Sequence, residues 1–252
     1  MPVSLERAGS IGILRLARPE RANALNRQIL ENIASLQESI RRDRDTRVLV
    51  TIGEGKGFSA GSDLEEIAPL SAAEAVEHQL LEGRVCRNFL SLPQPTIAAV
   101  HGYALGGGLF LAGYHDFRII AANARLGLPE VKLGWNPTFG IARLMRLAGE
   151  AAVTRWLISG EEFSAKDAER NGLATEVVEE TVDVLSAALN LGRRLTALPA
   201  AGLAAIKEAL WRENRAQYER SDAFEAEGFG RCLGTSEAQA SLLRYKKHGL
   251  KE

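Results

Sequence analysis

Cysteine is nearly absent from this sequence. Its 252 residues hold only Cys86 and Cys232, far apart, so a disulfide framework is excluded and two reduced thiols in a cytoplasmic protein are expected. An excess of either charge is missing too: 31 Lys and Arg against 32 Asp and Glu leave a formal net charge of −1. No global field draws in nucleic acid or an anionic membrane. The four histidines, His78, His101, His115 and His248, are scattered. They offer no i, i+4 pair to grip zinc, and no metal is expected. The opening MPVSLERAGS carries charge by Glu6 and lacks the apolar segment of a secretory leader.

Long hydrophobic runs are also lacking, with one stretch to weigh. Thr96 to Tyr114 contains no Asp, Glu, Lys or Arg, and its length approaches a membrane span. Yet it holds Gly102, Gly106, Gly107, Gly108 and Gly113, with a His-Gly-Tyr break after its first apolar run. A strand, a glycine turn and a buried helix account for it better than one lipid-facing helix.

What is present reads as alternating strands and helices. Val3–Glu6 and Ile11–Arg15 flank Ala8-Gly9-Ser10 as a hairpin. Asn26 can cap a helix carrying Leu30, Ile33, Leu36 and Ile40 at helical spacing. Val48–Ile52 is a short apolar run suited to a buried strand. A helix start is expected at Ser62–Glu66, and a helix over Ala72–Leu92 ending at Pro93-Gln94-Pro95. Thr96–Val100 is a strand, followed by a helix from about Leu109. Phe117–Ile120 and Val177-Val178 are further strands, and beyond Thr181 the pattern is helical to the end. This alternation points to α/β with parallel pairing.

Two glycine-bearing turns could carry chemistry: Gly57-Phe58-Ser59-Ala60-Gly61-Ser62-Asp63-Leu64 and Gly102-Tyr103-Ala104-Leu105-Gly106-Gly107-Gly108. Glycine permits positive φ and close approach to bare backbone, and N–H groups at a helix start favour negative charge. Two such turns meeting in space would supply one N–H each to a single oxygen, an oxyanion hole. Each could equally be a tight turn and nothing more. The first turn also matches G-x-S-x-G, which would make Ser59 a hydrolase nucleophile. However, the Gly-Glu-Gly-Lys loop parts it from its strand, and the only late histidine, His248, lies in a charged tail. P-loop and dinucleotide spacings fail.

Most of the acidic residues fall on helical surfaces where water solvates them. Glu130 differs, because Leu126-Gly127-Leu128-Pro129 precedes it and Val131, Leu133 and Trp135 follow. Such surroundings desolvate a carboxylate and raise its pKa toward a useful acid/base value. An ion pair with Lys132 or Arg143 is the competing reading.

Four ordered motifs then resemble the crotonase (enoyl-CoA hydratase/isomerase) superfamily over nearly the whole chain. They are Arg18-Pro-Glu-Arg-Ala-Asn23-Ala-Leu25, Gly57 to Leu64, Ala99 to Gly108, and Leu128-Pro-Glu-Val-Lys-Leu-Gly134, followed by Phe163 to Ala168 and Gly172-Leu-Ala174. The resemblance implies an α/β fold, a crotonase-like spiral of ββα units with a helical C-terminal trimerisation part. Residues 1–190 would form the acyl-CoA-binding core. Residues 191–252 would pack on that core or on a neighbouring subunit, in a homotrimer or dimer of trimers. It implies an acyl-CoA substrate, with coenzyme A entering as part of it and no separate cofactor.

By the same resemblance, the amides of Ser62 and Gly107 would hold the thioester oxygen while Glu130 moves protons. Ala60, Asp63 and Leu64 would wall the adenine and pantetheine. Arg21, Ala22 and Ala24 would run beside the CoA, and Lys246, Lys247 or Lys251 would meet its phosphates. Family hydratases carry a second glutamate just after the glycine triplet, where this chain has Phe110. Trp135 and Phe139 would make the pocket bulkier and drier. A single glutamate suits isomerisation of a Δ3 to a Δ2 double bond. Hydration of a 2-enoyl-CoA is the close alternative, with another group supplying the missing acid; Tyr114 and His115 lie within helical reach of Phe110, and a structural role for His115 or Asp116 is the competing reading. A non-catalytic acyl-CoA binder and a serine hydrolase are the remaining readings.

Overall fold

The structure, a computed structural model, describes residues 2–248, with side chains described through residue 244. Strands β1 (Val3–Ala8) and β2 (Ile11–Leu16) form the expected antiparallel hairpin. Helix α1 (Arg27–Arg42) starts at Asn26, whose side chain accepts from the Ile29 amide at 2.9 Å. Its Leu30, Ile33 and Ile40 are buried. Strand β3 (Val48–Gly53) is buried throughout and runs parallel to β2. The helix expected at Ser62 is a single turn, α2 (Leu64–Ile67), capped by Asp63. Helix α3 (Ala72–Ser91) opens on a Ser71–Glu74 capping box and stops before Pro93.

The uncharged stretch resolves into β4 (Thr96–Val100), β5 (Tyr103–Leu105) and α4 (Gly107–Gly113), the helix beginning two residues earlier than expected. After it come β6 (Phe117–Ala121), β7 (Arg125–Gly127), a 3-10 turn at Pro129–Leu133, and helices α5 (Ile141–Ala148) and α6 (Glu150–Ser159). Then follow β8 (Glu162–Ser164), α7 (Ala165–Arg170), β9 (Glu176–Val178), α8 (Val184–Thr196), α9 (Ala200–Leu233) and α10 (Ser236–His248). The strands β5, β7 and β8 span three residues each, too few for side-chain alternation to announce them.

Six strands form one sheet in the order β1-β2-β3-β4-β6-β9, parallel after the first hairpin. A second sheet has the order β5-β7-β8. The chain gives β4 to the first sheet and β5 to the second before α4, then repeats the step with β6, β7 and α5. This is the spiral of ββα units. On one face Ile11, Val48, Val50, Ile97 and Ile119 pack with Val184 and Ala188 of α8. The other face meets α1, α3 and α4 through Leu14, Leu30, Phe89 and Leu111. The boundary expected at 190/191 falls inside α8.

Helix α9 lies along α3 and is tied down by buried polar groups. Lys207 donates to Asp116 at 2.6 Å and to the Phe89 carbonyl at 2.9 Å, and Arg87 pairs with Asp222. Asn136 and Gly140 in turn donate to Glu225 and Asp222 of α9, which fixes the loop before α5. The same helix leaves Ile206, Leu210 and Phe224 exposed. Among the described residues no helix is long and apolar enough to cross a membrane.

One residue joins the loops that feed the site. Asn23 is fully buried in a left-handed conformation with φ 53°, which asparagine tolerates better than most residues. Its side-chain nitrogen donates to the carbonyls of Glu54 and Gly57, and its oxygen accepts from the Arg18 amide. Replacing Asn23 with Ala strands those groups, so a loss of roughly 1–3 kcal/mol is expected. A lower midpoint in urea unfolding would register it; an unchanged midpoint would show that the loops hold without this residue.

Candidate active site

The two glycine turns meet because segment 58–63 behaves as an extra strand beside β5. Phe58 donates to the Tyr103 carbonyl at 2.9 Å and Leu105 to that of Ser59 at 3.0 Å. On the other side Leu25 donates to the Gly61 carbonyl at 2.8 Å, and Asp63 to that of Leu25 at 3.1 Å. The Asp63 amide is spent on Leu25, so alternation sends the Ser62 amide to the opposite side, that of Gly107. At the end of β5, Gly106 turns the chain with φ 50° and ψ −126° into α4. Neither the Ser62 nor the Gly107 amide donates to a described group.

Their closeness is set by the glycines. A Cβ at Gly61, where φ is +92°, would stand 2.6 Å from the Leu105 carbonyl and 2.9 Å from the Gly107 amide nitrogen. A Cβ at Gly107 would stand 3.2 Å from the Ser62 amide nitrogen and collide with a carboxylate oxygen of Glu82. Only bare backbone lets the two strands of this turn come together. Two unspent amides beside one space can stabilise an oxygen that acquires negative charge.

Glu130 follows Pro129 into the 3-10 turn, which brings it against Gly106. Its Oε1 lies 3.0 Å from where a Cβ of Gly106 would be. Its Oε2 is buried without a hydrogen-bond partner among the described residues. Burial pushes the carboxyl up to about 7. The competing ion-pair reading fails. Arg143 donates to the carbonyls of Gly113 and His115, Lys132 is exposed, and no described ion pair includes Glu130.

A second carboxyl stands beneath the same turn, and sequence reasoning missed it. Glu82 of α3 is fully buried. Its Oε2 is 2.8 Å from Ser62 Oγ, while Oε1 lies beside the Gly107 backbone with no partner. Burial above all pushes it up to about 8; the Ser62 hydroxyl opposes this and Glu130 adds to it. The signal in the sequence was position. Glu82 falls on the helix stripe of Ala75, His78, Gln79, Val85, Cys86 and Phe89, all buried, where a solvated glutamate has no place.

Ser62, Gly107 and Glu130 line one cavity of about 310 Å³ together with Arg21, Ala22, Ala24, Ala60, Asp63, Leu64, Phe110 and Trp135. That brings together the expected oxyanion donors, the glutamate and the residues expected along the substrate, but none of the C-terminal lysines, whose side chains lie outside the described residues. Gln79, Thr138 and Phe229, which were not expected, line it as well. Phe110 packs on Phe139 with ring centres 5.3 Å apart, and Trp135 meets Phe229 edge-on at 5.8 Å, so this wall is apolar. At the other end Arg18 donates to Asp63 at 2.6 Å, and Arg21 pairs with Glu65 at 2.6 Å.

Other candidates are structural. Ser59 is fully buried; its Oγ donates to the Asn23 carbonyl at 2.8 Å and accepts from the Gly61 amide at 3.1 Å. It corrects the nucleophile reading, because a hydroxyl so committed is a loop tie. His115 is held between the Leu111 carbonyl and Thr51, stacks on Phe89, and is driven down to about 3 by burial, so it stays neutral. Tyr114 packs edge-on against Tyr218, and Asp116 pairs with Lys207. None of these three lines the cavity. Lys251 and the side chains of Lys246, Lys247 and His248 lie outside the described residues.

Comparison with known proteins agrees with this architecture. The family model described as enoyl-CoA hydratase/isomerase matches residues 6–250. The short-chain-enoyl-CoA hydratase of Clostridium acetobutylicum is 32% identical over 245 residues, covering 96% of this chain and 94% of the relative. The crotonyl-CoA hydratase of Syntrophomonas wolfei is 34% identical over 245 residues, with the same coverage of 96% and 94%. Among solved structures, an enoyl-CoA hydratase/isomerase from Xanthobacter autotrophicus Py2 superposes with a TM-score of 0.90 at 25% identity, covering 99% of this chain and 94% of that one.

The two buried carboxyls tie stability to pH. Both have folded values raised above the ordinary 4.5, so the folded state binds protons that the unfolded state releases. Their favourable contribution is complete below about pH 4.5 and lost as pH rises through 7 and 8. Stability should therefore fall from pH 5 to pH 8, each group adding up to about 1.4 kcal/mol per pH unit. Glu82→Gln should flatten the fall in urea titrations at several pH values. The same slope in the variant would show that Glu82 ionises normally.

Proposed function

We propose, from the premise that this chain belongs to the enoyl-CoA hydratase/isomerase family, that it is an acyl-CoA thioester enzyme that shifts a double bond from Δ3 to Δ2. The observation that carries this reading is the unpaired, water-shielded Glu130 carboxyl beside the two free amides. The thioester carbonyl sits between the amides of Ser62 and Gly107. Glu130 as carboxylate takes a proton from C2, and the C–H electron pair flows through the conjugated system to the thioester oxygen. The two amides stabilise that dienolate. Protonated Glu130 returns the proton to C4, leaving the double bond between C2 and C3. One proton leaves and one comes back, so one group suffices, and a value near neutrality suits it to both steps. Phe110, Phe139 and Trp135 keep water from that side of the cavity.

Arg21, Ala22 and Ala24 on one side and Ala60, Asp63 and Leu64 on the other form the approach along which CoA would lie. The reaction needs no group beyond the coenzyme A that the substrate carries. Exposed Ile206, Leu210 and Phe224 on α9 support burial against further copies, in a homotrimer or dimer of trimers. Light scattering should then give a mass of three or six chains, and a monomeric mass would remove this part of the reading.

Hydration of a 2-enoyl-CoA is the second reading, favoured by the names of the relatives and by the second carboxyl, Glu82. Supplying each ester in turn separates the two. Isomerisation predicts faster formation of the conjugated thioester from a 3-enoyl-CoA than loss of it from a 2-enoyl-CoA; the opposite order makes the enzyme a hydratase. Glu130→Gln should cut turnover by about 10²–10⁴ while calorimetry shows the ester still bound. Undiminished turnover would take Glu130 out of the mechanism.

A further inference from the structure

The Ser62–Glu82 pair lies behind the amides and is not used by the mechanism above. Ser62 supplies a backbone donor to the hole, and its hydroxyl lies on the same side: a Cβ at Gly107 would be 3.0 Å from Ser62 Oγ and 3.2 Å from the Ser62 nitrogen. The hydroxyl's partner is Glu82, at 2.8 Å. That hydrogen bond can run in either sense. A carboxylate only accepts, whereas a carboxylic acid can donate and leave the serine proton free to turn elsewhere.

We propose that Glu82 is a positioning residue that gates the oxyanion hole by its protonation. Neutral, it donates to Ser62 Oγ, and the Ser62 hydroxyl turns to the thioester oxygen as a third donor. Ionised, it recaptures that hydroxyl and sets a negative charge beside the oxygen on which charge must develop. This role rests on the acyl-CoA reading of the same cavity.

The surroundings make the neutral form the resting one. Glu82 has no described ion pair, its Oε1 has no hydrogen-bond partner, and its side chain is fully buried. The ionisable group that acts on it is Glu130, from the facing 3-10 turn, while Glu82 in turn acts on Cys86, one turn along α3. Cys86 is raised by burial and stays a neutral thiol. Glu82 is the more buried of the two, and Glu130, once ionised, holds the proton on it by its charge. The active form thus has Glu130 ionised and Glu82 protonated, two carboxyls in opposite states beneath one turn. On the remaining side Phe139 and the Arg87 guanidinium lie against Gly83, and Arg87 is itself paired with Asp222.

The pH profile of the full-length enzyme tests the gate. Turnover of a 3-enoyl-CoA by the parent should fall above about pH 8, approaching tenfold per pH unit as the protonated fraction shrinks. In Glu82→Gln, which is neutral at every pH and still offers an N–H to Ser62, that alkaline fall should vanish. The same fall in Glu82→Gln would overturn the proposal. A second measurement does not depend on that variant folding. Isotope-edited infrared spectra of butyryl-CoA bound to Glu130→Gln, where Glu82 is the one ionisable carboxyl left under the glycine turn, should show a more polarised thioester carbonyl at pH 6.5 than at pH 9.5. A bound carbonyl identical at both values would sink the gate alone. Failure of butyryl-CoA to bind at either pH would sink the acyl-CoA reading beneath it.

Discussion

Two carboxyl groups sit under one glycine turn with no described cation paired to either, and this desolvation is the constraint around which the rest of the site is arranged. Ionising a carboxyl in such a place is costly unless a partner compensates. Here compensation is partial: one hydroxyl for Glu82, and a backbone contribution for Glu130. Both values rise, and Glu82, fully buried, has Glu130 facing it as well. The outcome is two neighbouring carboxyls that both hold their protons to higher pH than an ordinary glutamate.

This constraint explains the backbone around it. Carboxyls can approach the turn so closely only where Gly106 and Gly107 have no side chains. The amides of Ser62 and Gly107 come together only because segment 58–63 is threaded between Leu25 and β5. Asn23, buried in a left-handed conformation, anchors that threading from beneath through Glu54, Gly57 and Ser59. The helical tail contributes from further off, since Asp222 and Glu225 of α9 hold the Asn136–Ile141 loop from which Phe139 closes the cavity. Positioning of the reacting groups is thus shared between the sheet, the glycine turns and the last long helix.

Much of the chain was legible before folding. The hairpin, the Asn26 cap, the buried β3 run and the strand–turn–helix in the uncharged stretch follow from patterns local to a few residues. The second sheet was not legible. Strands of three residues show no periodicity, and their pairing depends on partners 20 to 40 positions away. Glu130 could be singled out because its own neighbours in sequence are apolar. Glu82 was legible only as a glutamate on the buried stripe of α3, and what its carboxyl meets there depends on other elements. Ser59 failed the other way: a local motif suggested a nucleophile, and only the folded loop shows its hydroxyl spent on Asn23 and Gly61.

The sequence by itself determined the class of fold, the two glycine turns and the residue types that could serve an oxyanion, because each depends on backbone freedom or local hydropathy. Only the tertiary structure decided which carboxyls lose their water, and therefore which protons the site can hold. Desolvation depends on what surrounds a group in three dimensions, and for Glu82 those surroundings are the loop of Ser62, the backbone of Gly107 and the turn of Glu130.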